Sequence, residues 1–166
     1  MTELSAQMVG RLGELAVEQE LLKRGWMVGN FNASLPNTMA YDLFAVKGGR
    51  RVCLRVKATS GRTAQYTAKN DGTVFRSFLP GDNGDFVVIV LMKESEPQDF
   101  YIVQTDVVEK QLIESNKEWH KHSKRDGTPR KVTPQRTLEF SGKGLHRGMQ
   151  LRWSKYKDAW DLLDAK

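Results

Sequence analysis

The sequence predicts an α/β (α+β) fold, and three stretches carry that prediction. Residues 5–24 have the apolar spacing of an amphipathic helix that ends at Gly25. Residues 41–60 alternate apolar and polar side chains on both sides of Gly48-Gly49, which is typical of a hairpin of two half-buried strands. Residues 85–92 are almost continuously apolar, as expected for the central strand of a sheet covered on both faces.

The first helix brings two acidic residues to the edge of its apolar face. We expect one apolar arc to pack against the core, and this arc contains Met8, Val9, Leu12, Leu15, Ala16 and Leu22. Glu14 and Glu18 lie four residues apart at one edge of the arc, so they point either toward a site beside the core or into water. Gly10 and Gly13 form a small-residue patch that favours close packing against a neighbouring element.

The hairpin carries the clearest chemical pattern. With Gly48 and Gly49 at the two central turn positions, the register places Asp42 opposite Arg55, on a face shared with Lys57. An acid in a short apolar strand, with two fixed cations beside it, is unusual for a core and typical of a functional site. The simplest structural interpretation is a cross-strand ion pair between Asp42 and Arg55.

The remaining elements are shorter. We expect strands at 26–31, 64–68, 73–79 and 100–104, with a turn at 70–72. A helix is expected from Thr105 or Asp106 to about residue 115, where Glu109 would complete a capping box on Asp106. Residues 117–136 are expected to form a loop, and residues 150–166 a C-terminal tail that packs through Trp160, Leu162 and Leu163.

Length and composition narrow the classes of protein. The chain has 166 residues, 39% of them hydrophobic, which favours a single domain spanning residues 1–166. No apolar run is long enough for a membrane span, and the N-terminus lacks a signal-peptide pattern, so we expect a cytoplasmic protein with no membrane partner. The only cysteine, Cys53, excludes an internal disulfide and a multi-cysteine zinc site.

The net charge of +6 is concentrated in one segment. Residues 117–136 carry 7 basic and 2 acidic side chains, whereas residues 1–116 carry 13 and 14. Such localisation favours contact with a polyanion, and a solvated loop is the alternative. The side chains predicted to bind nucleic acid in this segment are Lys117, Lys121, Lys124, Arg125, Arg130, Lys131 and Arg136.

Three motif positions resemble those of the PD-(D/E)XK nuclease superfamily, which includes restriction enzymes and Holliday-junction resolvases. They are Glu14 on a helix, Asp42 on a strand, and the run Arg55-Val56-Lys57-Ala58-Thr59 at the end of the next strand. The resemblance covers residues 5 to about 104. It implies a restriction-endonuclease-like core, with a central mixed β-sheet flanked by helices.

The resemblance also implies an activity. The nucleases that the sequence resembles hydrolyse phosphodiester bonds with Mg²⁺ or Mn²⁺ as the cofactor. The resemblance therefore implies a metal-dependent endonuclease, with DNA as the expected substrate. Hard carboxylate oxygens suit these ions. By the match, Asp42 would be the first metal carboxylate, Lys57 the motif lysine and Glu14 the helix-borne acid.

Arg55 departs from the family pattern. The family has an oxygen-bearing side chain there, whereas a guanidinium has only donors and repels a cation. Either Arg55 turns toward phosphate while Glu14 or Glu18 supplies the missing ligand, which leaves an active nuclease, or Arg55 and Lys57 form a phosphate cradle in a non-catalytic nucleic-acid-binding module. A basic domain without nuclease ancestry is a third hypothesis. Nucleases of this kind commonly act as dimers, so a homodimer is possible, although the sequence shows no clear dimer surface.

Overall fold

The structure is a computed structural model that describes residues 4–33, 40–75, 84–141 and 148–165. Its strands are β1 (Met27–Asn30), β2 (Leu43–Lys47), β3 (Arg50–Thr59), β4 (Thr63–Thr67), β5 (Asp85–Lys93), β6 (Glu96–Gln104) and β7 (Gln135–Glu139). Its helices are α1 (Ala6–Lys23), α2 (Thr105–Lys121) and α3 (Met149–Arg152), with 3-10 turns at Phe31–Ala33, Ser154–Tyr156 and Trp160–Leu163. No helix of the described ranges is long and apolar enough to cross a membrane.

The described strands form a mixed five-stranded sheet and a smaller antiparallel pair. The large sheet has the order β1-β2-β3-β5-β6, and the pair joins β4 to β7. β3 runs antiparallel to β2 and parallel to β5. The central strand is therefore β3, and the prediction that residues 85–92 form it is wrong. β5 is buried on both faces because helices and the second sheet cover it, although it lies next to the edge strand β6.

The hairpin forms with the predicted register. Leu43 pairs with Leu54 and Lys47 with Arg50, around a turn at Gly48-Gly49. Both glycines have positive φ angles, 55° and 81°, which a tight two-residue turn requires and which other residues rarely adopt.

Two apolar layers cover the two faces of the large sheet. α1 packs on one face with residues of β2, β3 and β5, and Trp160 and Leu163 of the C-terminal tail join this layer as predicted. On the other face lie α2, the β4-β7 pair and α3. Gly13 is where α1 approaches the sheet most closely, since a Cβ built there would lie 2.3 Å from the Cβ of Ala58. The predicted close packing at Gly13 is confirmed.

The apolar arc predicted for α1 is only partly the face that packs. The buried positions of the helix are Val9, Gly13, Val17 and Leu21. Met8, Leu15 and Leu22 of the predicted arc are exposed, whereas Leu12 packs against the core. The close approach at Gly13 fixes the rotation of the helix about its axis, and this rotation turns those three side chains away from the sheet.

Several shorter elements differ from the prediction. β6 begins earlier than residue 100, and α2 continues to Lys121, so the irregular part of the basic segment is limited to 122–134 before β7 begins. Residues 73–75 are not a strand, and 76–79 lie outside the described residues. Glu109 forms no capping box, because its buried carboxylate accepts the backbone N–H groups of Val74 and Phe75 at 3.0 Å.

Candidate functional site

Two carboxylates predicted to belong to the site meet at one amide group. Glu14 comes from α1, and Asp42 lies directly before β2. The side-chain nitrogen of Asn32 donates to Glu14 Oε1 at 3.1 Å and to Asp42 Oδ1 at 2.9 Å. The structure therefore brings Glu14 and Asp42 together through Asn32. This residue is not among those that the sequence predicts for the site.

Asp42 comes directly before β2, and its carboxylate lies beside β3. The backbone N–H of Val56 donates to Asp42 Oδ2 at 2.6 Å, so the side chain takes the place of a ladder acceptor. Val56 and Ala58 face α1, and Arg55 and Lys57 project from the opposite face of β3. Asp42 thus reaches toward α1 through Asn32 and does not form the shared face predicted for Asp42, Arg55 and Lys57.

The surroundings of Asp42 favour its protonated form. Burial raises the pKa of Asp42 above its usual value, and the negative charge of Glu14 adds to the rise. The hydrogen bonds from Val56 and Asn32 oppose it without cancelling it. An ionised Asp42 is therefore held at a cost in folding free energy, which is a common property of functional carboxylates.

This raised pKa predicts a pH-dependent effect of Asp42→Asn. A folded-state pKa above the unfolded value of about 3.9 means that wild-type stability is lost as pH rises through the folded pKa, and the neutral amide escapes this loss. We expect the melting temperature of Asp42→Asn, relative to wild type, to increase between pH 4 and pH 7 in buffer with chelator.

Asp71 offers a control of opposite sign. Its pKa is lowered by hydrogen bonds from the Thr73 backbone and hydroxyl, so wild-type stability grows as pH rises. Asp71→Asn should lose stability relative to wild type as pH rises to about 4, the unfolded carboxyl pKa, and should run parallel to wild type at higher pH. Parallel curves for Asp42→Asn and wild type would contradict the raised pKa.

Glu18 does not take part in the contacts that join α1 to Asp42. It lies one helical turn beyond Glu14, a rise of about 6 Å along the axis. The described hydrogen bonds of Asn32 reach Glu14 and Asp42. Glu14 is thus the helix-borne acid that the structure places at this position.

Lys57 lies over an aromatic ring. Its ammonium is 5.5 Å from the ring centroid of Tyr66 on β4, a distance at which the ring face attracts a cation. The Tyr66 hydroxyl is buried without a hydrogen-bond partner in the structure, and burial raises its pKa well above the usual value. Tyr66 therefore stays neutral and acts on Lys57 through its ring.

Arg55 pairs with Asp85, not with Asp42. Its guanidinium forms a buried ion pair with the Asp85 carboxylate and lies 3.1 Å from the Thr105 hydroxyl. Asp85 also accepts the Tyr41 hydroxyl at 2.8 Å. The predicted cross-strand ion pair is wrong although the register is right, because Asp42 lies just before the start of β2 and Arg55 projects toward the start of β5.

Arg55 has a packing role as well. The guanidinium carbon lies 4.1 Å from the ring centroid of Tyr41 and 5.2 Å from that of Phe75. Arg55 is only 7% exposed. A cleft of about 770 Å³ opens beside it, lined also by Ala40 and by the segment that contains Lys69 and Phe75. Arg55 thus ties residue 41, next to Asp42, to β5 and α2.

The predicted nucleic-acid-binding residues lie on and beyond the end of α2. Lys117 and Lys121 belong to the last turns of the helix, and Arg136 to β7. The irregular part, 122–134, is exposed along almost its whole length. Arg130 is the exception, because its guanidinium stacks 3.6 Å from the Trp119 ring centroid.

This basic segment is attached to the face of the sheet that carries Lys57. Arg136 on β7 pairs with Tyr66 on β4, and the Tyr66 ring lies under Lys57. The structure therefore joins Lys57 and the basic segment through one small sheet.

The described residues contain no group of three or more His, Cys, Asp or Glu side chains arranged to hold a metal ion. The two acids that do converge, Glu14 and Asp42, form a pair. Of the groups around them, Asn32 and Asp85 were not identified from sequence. The sequence does contain a signal that points to Asp85, because an acid at the start of an otherwise apolar strand needs a buried partner.

Comparison with known proteins bears on the fold. No protein-family model and no curated protein sequence matches the chain. Among solved structures, a bacterial homing endonuclease matches with a TM-score of 0.54 and 19% sequence identity, over 96% of this chain and 93% of that chain. The match confirms the predicted α/β fold class, with its central mixed sheet flanked by helices, over nearly the full length of both chains.

Proposed function

We propose that the protein is an endonuclease that hydrolyses phosphodiester bonds in DNA with the help of Mg²⁺ or Mn²⁺. One observation carries the proposal: carboxylates from α1 and from the start of β2 converge on Asn32, beside the strand that bears Lys57. The fold shared with a homing endonuclease supports it.

The donor set fits a hard divalent cation. Glu14 Oε1 and Asp42 Oδ1 both lie within hydrogen-bonding distance of one nitrogen, so the two oxygens face a common point. Mg²⁺ is usually held by one or two carboxylates, with waters and substrate phosphates completing the shell. Arg55 does not fit such a shell, because a guanidinium offers no acceptor.

Each residue then has a distinct role. Glu14 and Asp42 would hold the cation, which supplies a water of lowered pKa and neutralises charge on the phosphate. The Val56 N–H fixes the orientation of the Asp42 carboxylate through Oδ2, and the Asn32 amide holds the two carboxylates together until a cation takes its place. Lys57, which projects from the opposite face of β3 and is restrained by Tyr66, would add positive charge to a phosphate that passes the end of β3. Arg55 pairs with Asp85, which accepts the Tyr41 hydroxyl, and so holds the residue next to Asp42 in position.

The exposed basic segment 122–134, with its flanking cations, suits the DNA backbone. Phosphate contacts supply affinity and orientation without reading sequence, and they weaken as salt increases. The connection from β7 through Tyr66 to Lys57 favours a path on which DNA bound by this segment reaches the motif lysine.

A second candidate function is a DNA-binding module without catalysis. It is favoured by the presence of Arg55 at the position where the related nucleases carry a metal ligand. In this candidate the Asn32 amide, rather than a cation, satisfies Glu14 and Asp42 permanently. The burial of Arg55 and its pairing with Asp85 argue against the phosphate cradle first considered for it.

Plasmid nicking distinguishes the two candidates. We expect wild-type protein to convert supercoiled DNA to the nicked form in the presence of Mg²⁺ or Mn²⁺. Addition of chelator should stop this nicking. Asp42→Asn should lower the rate by about 10²-fold or more, because it removes a charged metal ligand. Glu114→Gln, which changes an exposed acid on α2, serves as the matched control and should cut at the wild-type rate.

The opposite results have a clear meaning. Salt-sensitive DNA binding without metal-dependent nicking would support the non-catalytic module. Nicking that survives in Asp42→Asn would show that the activity comes from another site or from a contaminant.

A further inference from the structure

The outer face of α1 carries an exposed apolar line. Met8, Leu15 and Leu22 are 53%, 44% and 55% exposed, and we name these three residues the α1 stripe. They are spaced seven residues apart, which is close to two turns of helix, so they lie in one row on one side of α1. The row is about 21 Å long.

The stripe is distinct from the face that packs in the fold. The sheet side of α1 is filled by smaller residues, Val9, Gly13 and Val17, with Leu21. Single exposed apolar residues are ordinary on a protein surface. What distinguishes these three is their regular spacing on one side of α1, away from the sheet. The amphipathic pattern of α1 therefore contains more apolar surface than the sheet covers.

The stripe is complementary to itself. If two α1 helices meet antiparallel with Leu15 at the centre, Met8 of each copy faces Leu22 of the other, because both lie seven residues from the centre. Arg11 and Glu18 flank the same side of the stripe, four residues before Leu15 and three after it. The two-fold axis then places Arg11 of one copy beside Glu18 of the other.

We propose that two copies of the chain associate through the α1 stripe, antiparallel, about a two-fold axis at Leu15. The occupant is a second copy because the row matches itself in both shape and charge. In one chain Arg11 forms an ion pair with Glu14 at 2.8 Å. Dimerisation brings Glu18 of the second copy to the same guanidinium, so the interface adjoins Glu14. The proposal goes beyond the proposed function and does not depend on it.

Sedimentation equilibrium without DNA or metal tests the association. We expect the mass to rise with concentration from 18.9 kDa toward twice that value. Leu15→Glu should weaken association at least tenfold, since it places two like charges together at the axis. Leu151→Glu, at a leucine on α3 that is more exposed than Leu15, should leave the association unchanged. A monomer at all concentrations, or a dimer unaffected by Leu15→Glu, would overturn the proposal.

A charge exchange tests the orientation. Arg11→Glu and Glu18→Arg should each weaken association several-fold, and the double variant should restore it. In a Cys53→Ser background, Leu15→Cys should cross-link on oxidation, and Leu22→Cys should not, because an antiparallel pair separates the two copies of position 22 by about 21 Å. Cross-linking at position 22, or no recovery in the double variant, would refute the antiparallel arrangement. Neither readout involves cleavage, so failure of the nuclease proposal leaves this test intact.

Discussion

Replacing Arg55 with methionine should destabilise the protein by about 3–5 kcal/mol, because it leaves the buried carboxylate of Asp85 without a counter-charge. Asp85 is 4% exposed, and among the described residues the hydroxyls of Tyr41 and Thr105 would remain as its side-chain donors. Denaturation by urea, followed by circular dichroism, measures the loss. The double variant Arg55→Met/Asp85→Asn should recover much of the lost stability, since neither position then carries a buried charge.

A surface ion pair provides the comparison. Lys47 and Asp164 are 37% and 48% exposed, and Lys47→Met should cost no more than about 1 kcal/mol. If Arg55→Met and Lys47→Met cost the same, the Arg55 to Asp85 pair is not desolvated in solution.

The same geometry changes the meaning of restoring an acid at position 55. From the motif alone, Arg55→Glu would supply the oxygen ligand that the PD-(D/E)XK pattern has at this position. In the structure it would place a second carboxylate against Asp85, which repels it in a buried setting. Such a variant should be tested together with Asp85→Asn, which removes this repulsion.

Replacing Lys57 with methionine should slow DNA cleavage by about 10²- to 10³-fold, the effect typical of removing one positioned group that stabilises transition-state charge. The butyl stem and its packing over Tyr66 are largely kept, so the change isolates the charge. Single-turnover nicking at saturating protein measures the chemical step, and a filter-binding Kd in chelator measures affinity.

Lys131→Met gives the matched control for binding. Lys131 is exposed in the basic segment, so its loss should weaken DNA affinity and reduce the salt dependence, with little effect on the saturated rate. An equal loss of rate in both variants would mean that Lys57 acts only as another phosphate contact. Cleavage by Lys57→Met at the wild-type rate would remove Lys57 from the chemistry.

Local patterns predicted much of the fold. The hairpin register followed from two turn glycines and alternation along β2 and β3, both of which are properties of neighbouring residues. The buried strand at 85–93 was evident from its continuous apolar run. The position of that strand in the sheet was not predictable, because strand order depends on contacts between segments far apart in sequence.

The candidate site divides in the same way. Asp42 and Lys57 stood out because charged groups in a short apolar hairpin are unusual, and Glu14 because it matches the helix-borne acid of the PD-(D/E)XK pattern. Their partners come from elsewhere in the chain. Asn32 is ten residues from Asp42, and Asp85 thirty from Arg55. Nothing local in the sequence indicates that an asparagine in a loop will join two carboxylates.

The sequence by itself determined the helix, the hairpin register and the unusual set of charged residues, because each depends on side-chain periodicity within one element. Only the tertiary structure decided which charges meet. Asp42 lies one residue before the start of β2, and its carboxylate turns to Val56 and Asn32, while β5 presents Asp85 to Arg55. It also decided which face of α1 is buried, because the close contact of Gly13 with Ala58 sets the rotation of the helix and leaves the α1 stripe exposed.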